Sequence, residues 1–104
     1  MLILIDYKNR KVRYTDERIK HLENSHPEMA NQIGKIIEAL SIPDYVIESK
    51  TDTNVELLYK YYALTPVKAK YLCITAKYKD SDNFIITAYF TDAIKKGKLI
   101  WEKK

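Results

Sequence analysis

Histidine occurs twice in this chain, in the run His21-Leu22-Glu23-Asn24-Ser25-His26-Pro27-Glu28-Met29. Imidazole is the side chain whose unperturbed pKa lies near neutral pH, so a solvent-reachable pair is suited to general acid and base work. The second half of the sequence suggests what such a pair would act on. Residues 57–79 carry Lys60, Lys68, Lys70, Lys77 and Lys79 with no acid, among many tyrosines. Residues 24–56 are the reverse, with Glu28, Glu38, Asp44, Glu48, Asp52 and Glu56 against Lys35 and Lys50. Lysines neutralise phosphates and aromatic rings offer stacking surfaces, so histidines beside a basic, tyrosine-rich sheet point to metal-free cleavage of RNA. The same lysines are equally at home as solvated edge residues that discourage strand pairing.

The elements that must position these groups follow from caps and periodicity. Thr15 is placed to cap a helix over 16–24, with Asp16 and Glu17 opposing its dipole. Ile19 and Leu22 form its buried stripe, which leaves His21 about 130° away and facing solvent. Ser25 and Glu28 have capping-box spacing around Pro27, so a second helix is expected to start there. Met29, Ile33, Ile36, Ile37 and Leu40 continue as its apolar stripe, with Gly34 expected at a close contact and Ile42-Pro43 as the stop. Short strands at 2–6 and 11–14 flank Tyr7-Lys8-Asn9-Arg10, either as a hairpin or as an extended lead-in. Four further runs, 44–49, 55–63, 70–78 and 84–91, are separated by turn-forming residues and read as an antiparallel meander. The expected class is α+β, with two N-terminal helices packed on a four-stranded antiparallel β-meander whose other face is open.

Alternation of period two assigns Val55, Leu57, Tyr59 and Tyr61 to the helix-covered face, with Leu72, Ile74, Ala76, Tyr78, Phe84, Ile86, Ala88 and Phe90. Lys60, Tyr62, Thr75, Lys77, Thr87 and Tyr89 then share the open face. Hydrogen-bonding and cationic groups gathered this way would hold a phosphodiester and stabilise the charge that develops on attack. Any half-exposed sheet shows the same alternation, so the pattern is also consistent with ordinary solvated strands.

A chain of 104 residues makes one domain, 1–104, and no linker or repeat divides it. Hydrophobic residues at 46% and charged residues at 31% argue against long disorder. No apolar run nears the roughly 20 residues that cross a bilayer, and Met1–Ile5 meets Asp6 too soon for a signal-peptide core. A lone Cys73 gives no sign of an oxidising compartment, so the cytoplasm is expected. Two histidines five apart, with no neighbouring cysteine or clear acidic third ligand, fit no usual zinc spacing. No metal or cofactor is expected, since glycine-rich phosphate loops, nucleophile elbows and paired cysteines are also missing.

Taken in order, Arg18-Ile19-Lys20-His21, His26-Pro27-Glu28, Pro43-Asp44-Tyr45-Val46, Tyr59-Lys60-Tyr61-Tyr62, Tyr71-Leu72-Cys73-Ile74 and Ile86-Thr87-Ala88-Tyr89-Phe90 span roughly residues 12–101. This pattern resembles the BECR superfamily of small nucleases, named for barnase, EndoU ribonucleases, colicin-type tRNases and RelE toxins, and most closely its phage- and toxin-associated branch. The resemblance implies metal-independent transesterification, in which a base deprotonates the 2′-hydroxyl and a 2′,3′-cyclic phosphate results. His21 and His26 are then the acid/base candidates, with Thr87 and Tyr89 orienting or donating to the phosphate. Arg18, Lys60, Tyr62 and Lys77 are the substrate-binding candidates. RNA is the implied partner, with a protein antitoxin or inhibitor beside it. The rival expectation is a non-catalytic RNA- or protein-binding module on the same fold, because function lives in the site and not in the fold.

Overall fold

The computed structural model describes residues 1–68 and 70–104. Strand accounts for 42% and helix for 21%, so the expected pair of helices on a four-stranded meander gives way to a seven-stranded mixed sheet with two short helices. In chain order the elements are β1 (Leu2–Ile5), β2 (Lys11–Tyr14), α1 (Asp16–Ser25), a 3₁₀ turn (Pro27–Met29), α2 (Ile33–Ser41), β3 (Tyr45–Glu48), β4 (Val55–Tyr61), β5 (Tyr71–Lys79), β6 (Asp82–Thr91) and β7 (Lys98–Glu102). The sheet runs β1-β2-β6-β5-β4-β3-β7. β1 and β2 form a hairpin that joins the sheet through a parallel bridge, Arg13 to Phe84, and β7 adds antiparallel to β3. Each added strand is four or five residues long. A run that short carries too few alternations to announce its place, and only distant pairing fixes it.

Thr15 caps α1 as its spacing predicts, accepting a hydrogen bond from the Arg18 N–H at 3.1 Å. The second helix departs from expectation. Ser25 is spent as the last residue of α1, and the His26 N–H donates to the Leu22 carbonyl, so the Ser25/Glu28 box does not form. A single 3₁₀ turn follows, Asn31 takes φ of 63°, and α2 starts only at Ile33. Gly34 marks no close contact, since a Cβ there would meet nothing within 4 Å.

Two connections cross the sheet, one on each face. The helical segment between β2 and β3 covers the first face, where Leu22, Met29, Ile36 and Leu40 pack on Val46, Leu58, Leu72, Ile74 and Ala88. Three strands separate β6 from β7, so residues 92–97 must cross as well. They lie on the second face, where Ile94 packs on Ile47, Val55, Leu57, Tyr59 and Cys73. This strap is pinned at both ends of its path. The Lys95 N–H donates to the Tyr59 hydroxyl at 3.1 Å, and at Gly97 a Cβ would stand 2.6 Å from Ile47 Cγ2 and 2.7 Å from the Glu48 carbonyl oxygen. Only glycine fits so close an approach.

The β1–β2 turn, with Asn9 at φ of 61°, carries a buried ionic group. The Asp6 carboxylate accepts from the Arg10 side chain at 2.8 Å and from the Lys8 and Arg10 N–H groups. Arg10 also reaches Glu56 on β4 at 3.1 Å, and its guanidinium stacks 3.8 Å from the centre of the Tyr78 ring. The Tyr7 hydroxyl donates to Glu56 at 2.6 Å, while its ring packs on Trp101. This group latches the N-terminal hairpin to the middle and far end of the sheet.

Burial leaves several phenols reluctant to ionise. It pushes Tyr14 up to about 12, with help from the nearby Glu23 charge, and Tyr59 also up to about 12, with help from Cys73. In the unfolded chain these groups lose their protons near pH 10, so between about 10 and 12 the unfolded state binds fewer protons than the native one. Their contribution to stability is therefore complete below pH 10 and lost as pH rises through about 12. Titration followed by tyrosinate absorbance and circular dichroism is expected to show unfolding coincident with tyrosine ionisation in that window. Independent, non-cooperative titration of all nine tyrosines near pH 10 would contradict this burial.

Candidate functional site

The residues singled out by the sequence fall into separate places. His26 caps the end of α1, is half-buried, and lays its ring on Tyr89 at 5.9 Å between centroids with 28° between planes. Its Nδ1 lies 3.9 Å from Glu28. Tyr89 and Thr87 lie on β6, and Tyr89 packs with Tyr59 and Cys73 on the second face. His21 is exposed on the outer side of α1, where it shares a shallow groove with Arg18, Glu17 and Asn24. The histidines therefore do not converge: one joins the sheet and the other faces away with Arg18.

Lys60 and Tyr62 lie on the first face, not with Thr75 and Lys77. Lys60 pairs with Leu72 and Glu56 with Ala76 across β4 and β5, which turns Lys60, Leu58 and Glu56 toward the helices. The Tyr62 hydroxyl donates to Glu38 on α2 at 2.6 Å, and Lys60 Nζ donates to the Ile42 carbonyl at the C-terminus of α2 at 3.1 Å. Burial, and then the Glu38 carboxylate, hold the Tyr62 proton well above the ordinary phenol range. On the second face Lys77 pairs with Asp52 at 3.1 Å. The Asp52 carboxyl is held low, first by the Asn54 N–H and then by Lys77.

Where β4 ends and β5 begins, Tyr45, Tyr61 and Tyr71 meet Lys60, Lys103 and Lys104 around a cleft of about 520 Å³. That volume falls within the range of small-molecule sites. Tyr61 is 51% exposed and sets its ring edge-on to Tyr71 at 5.9 Å, and Tyr71 in turn meets Tyr59 at 6.5 Å. Among the described residues lining the cleft, Asp44 has the one acidic side chain. It is already engaged: Asp44 Oδ2 accepts from the Tyr61 N–H at 2.7 Å, and its carbonyl accepts from the Lys103 N–H at 2.9 Å. Three lysine side chains thus line a cleft whose tyrosine rings are partly open to solvent, with the Lys60 ammonium held at the Ile42 carbonyl on its rim.

No family model, curated protein or solved structure matches the chain.

The cleft offers stacking surfaces and cations for a polyanion, but no histidine reaches it. Lys60 is the one predicted site residue in it. Lys103 and Lys104 were missed, along with Lys95, Lys96 and Lys98, although residues 95–104 hold five lysines against Glu102. A charge count by window over the C-terminal tenth would have found them. Among the described residues, no three His, Cys, Asp or Glu side chains gather as metal ligands would, and no helix is long and apolar enough to cross a membrane. Cys73 is buried; burial pushes its thiol up, opposed by the Tyr89, Tyr59 and Thr75 hydroxyls.

Proposed function

We propose that this chain binds single-stranded RNA through the tyrosine–lysine cleft and does not itself cut it. The observation that carries this reading is the meeting of Lys60, Lys103 and Lys104 with the exposed ring of Tyr61 and with Tyr71, against a single acidic side chain that is already hydrogen-bonded. Cations take phosphates, and unpaired bases stack on aromatic faces whatever their sequence. A cytoplasmic place fits this role and suits a free, buried Cys73.

One observation favours a second reading, the metal-independent ribonuclease of the BECR likeness with its protein inhibitor: His26 stacks on Tyr89 beside Thr87. That arrangement offers a single imidazole, whereas transesterification needs a base for the 2′-hydroxyl and an acid for the leaving oxygen.

One incubation separates the two. Purified protein, labelled RNA and EDTA are followed by anisotropy and then run on a denaturing gel. Salt-sensitive binding with intact RNA supports the module. Cleavage that disappears in His26→Ala supports the nuclease and sinks the primary proposal.

A further inference from the structure

The strap borders the cleft through one chain of contacts. Tyr71 lines the cleft, its ring meets Tyr59, and the Tyr59 hydroxyl accepts the Lys95 N–H. The backbone of Lys95 is thus fixed by a bond that does not involve its ammonium. Lys95 and Lys96 are both exposed, and on the strap's other side they border a second groove of about 380 Å³ that reaches Thr75 on β5. Glu48 and Asp52 also line that groove, and Asp52 is neutralised by Lys77. The held backbone positions two exposed cations on the path between the two depressions.

We infer that the RNA track does not end in the cleft: an unpaired strand seated on Tyr61 and Tyr71 continues across the strap, with Lys95 and Lys96 taking its next phosphates. This rests on the reading of the cleft as an RNA site, and it narrows the ligand to an extended single-stranded stretch longer than the cleft alone can hold. Charge complementarity supports this occupant, because each cation that meets a phosphate releases counterions and steepens the salt dependence.

The test compares a uridine trimer with a uridine dodecamer by fluorescence anisotropy on the full chain. Lys95→Gln/Lys96→Gln is expected to weaken dodecamer binding about tenfold more than trimer binding, and to flatten the dodecamer's logarithmic salt slope by about 1.4, or 0.7 for each of two phosphates. A charge-matched control, Lys11→Gln/Lys20→Gln on β2 and α1, is expected to leave both affinities within about twofold. Equal losses for the two lengths, no loss for either, or an equal loss in the control overturns the inference while leaving the cleft in place. A twelve-pair duplex bound as well as the dodecamer, with the same dependence on the strap, overturns the unpaired requirement. If neither oligomer responds to charge removal in the cleft, the underlying reading falls and takes this inference with it.

Discussion

Arg10→Met is expected to lower the free energy of unfolding by about 3 kcal/mol, the lower end of the range for removing one partner of a buried ion pair, because the Arg10 side chain is itself 29% exposed. The reason lies in what stays behind. The Asp6 side chain shows no exposure and that of Glu56 only 11%, and both face the Arg10 guanidinium. Methionine keeps an unbranched apolar stem over the Tyr78 and Tyr7 rings, so the loss reports on two stranded carboxylates more than on packing. Asp6 retains the Lys8 and Arg10 backbone N–H groups, and Glu56 retains the Tyr7 hydroxyl. Neither neutralises the charge. Urea denaturation followed by circular dichroism measures the effect. A loss below about 1 kcal/mol at neutral pH, the size of an exposed surface pair, would mean that water reaches this group freely.

The second large effect concerns binding. Lys60→Gln, Lys103→Gln and Lys104→Gln together remove three positive charges while keeping polar stems, and glutamine can still donate to the Ile42 carbonyl. At about 0.7 per phosphate the logarithmic salt slope for single-stranded RNA should fall by about 2, so raising salt from about 50 to 200 mM should cost the unmodified chain roughly twentyfold more affinity than the triple variant. Tyr61→Ala should act differently, removing about 1–3 kcal/mol of stacking with the salt slope unchanged. Anisotropy titrations at several salt concentrations separate the two. An unchanged slope in the triple variant would place the RNA somewhere else on the molecule.

The sequence revealed local structure better than assembly. Thr15 and the acids after it predict where α1 starts, because a cap is a local hydrogen bond. On β5 the alternation is correct: Leu72, Ile74 and Ala76 face the helices while Thr75 and Lys77 face away. On β4 it is inverted. Residues 55–59 are buried on both faces, and the one charged residue among them, Glu56, turns inward to meet Arg10 and Tyr7, so polarity marks the wrong side and a one-residue shift goes unnoticed. That shift is why Lys60 and Tyr62 were grouped with Thr87 and Tyr89. A bulge in the β5–β6 ladder at Thr75/Ala76 shifts only the start of β6, placing Ile85 in the core and Phe84 opposite Lys77, while Ala88 and Phe90 face the helices as the alternation predicts. The tyrosines and Lys60 of the cleft were legible as residue types. Their meeting with Lys103 and Lys104 was not, because it depends on β7 pairing with β3 from the far end of the chain.

The N-terminal hairpin meets β6 in parallel at Arg13, whose ion pair with Asp82 spans 69 positions, and its Arg10 latch waits on Glu56. The hairpin is therefore held by partners made much later in the chain than itself. β1 remains an edge strand of the sheet, and its Ile3 and Ile5 are 49% and 45% exposed even in the finished fold. A chain cut short before β6 would leave the other edge of the hairpin, β2, open as well, and so offer two unpaired strand edges to neighbouring molecules.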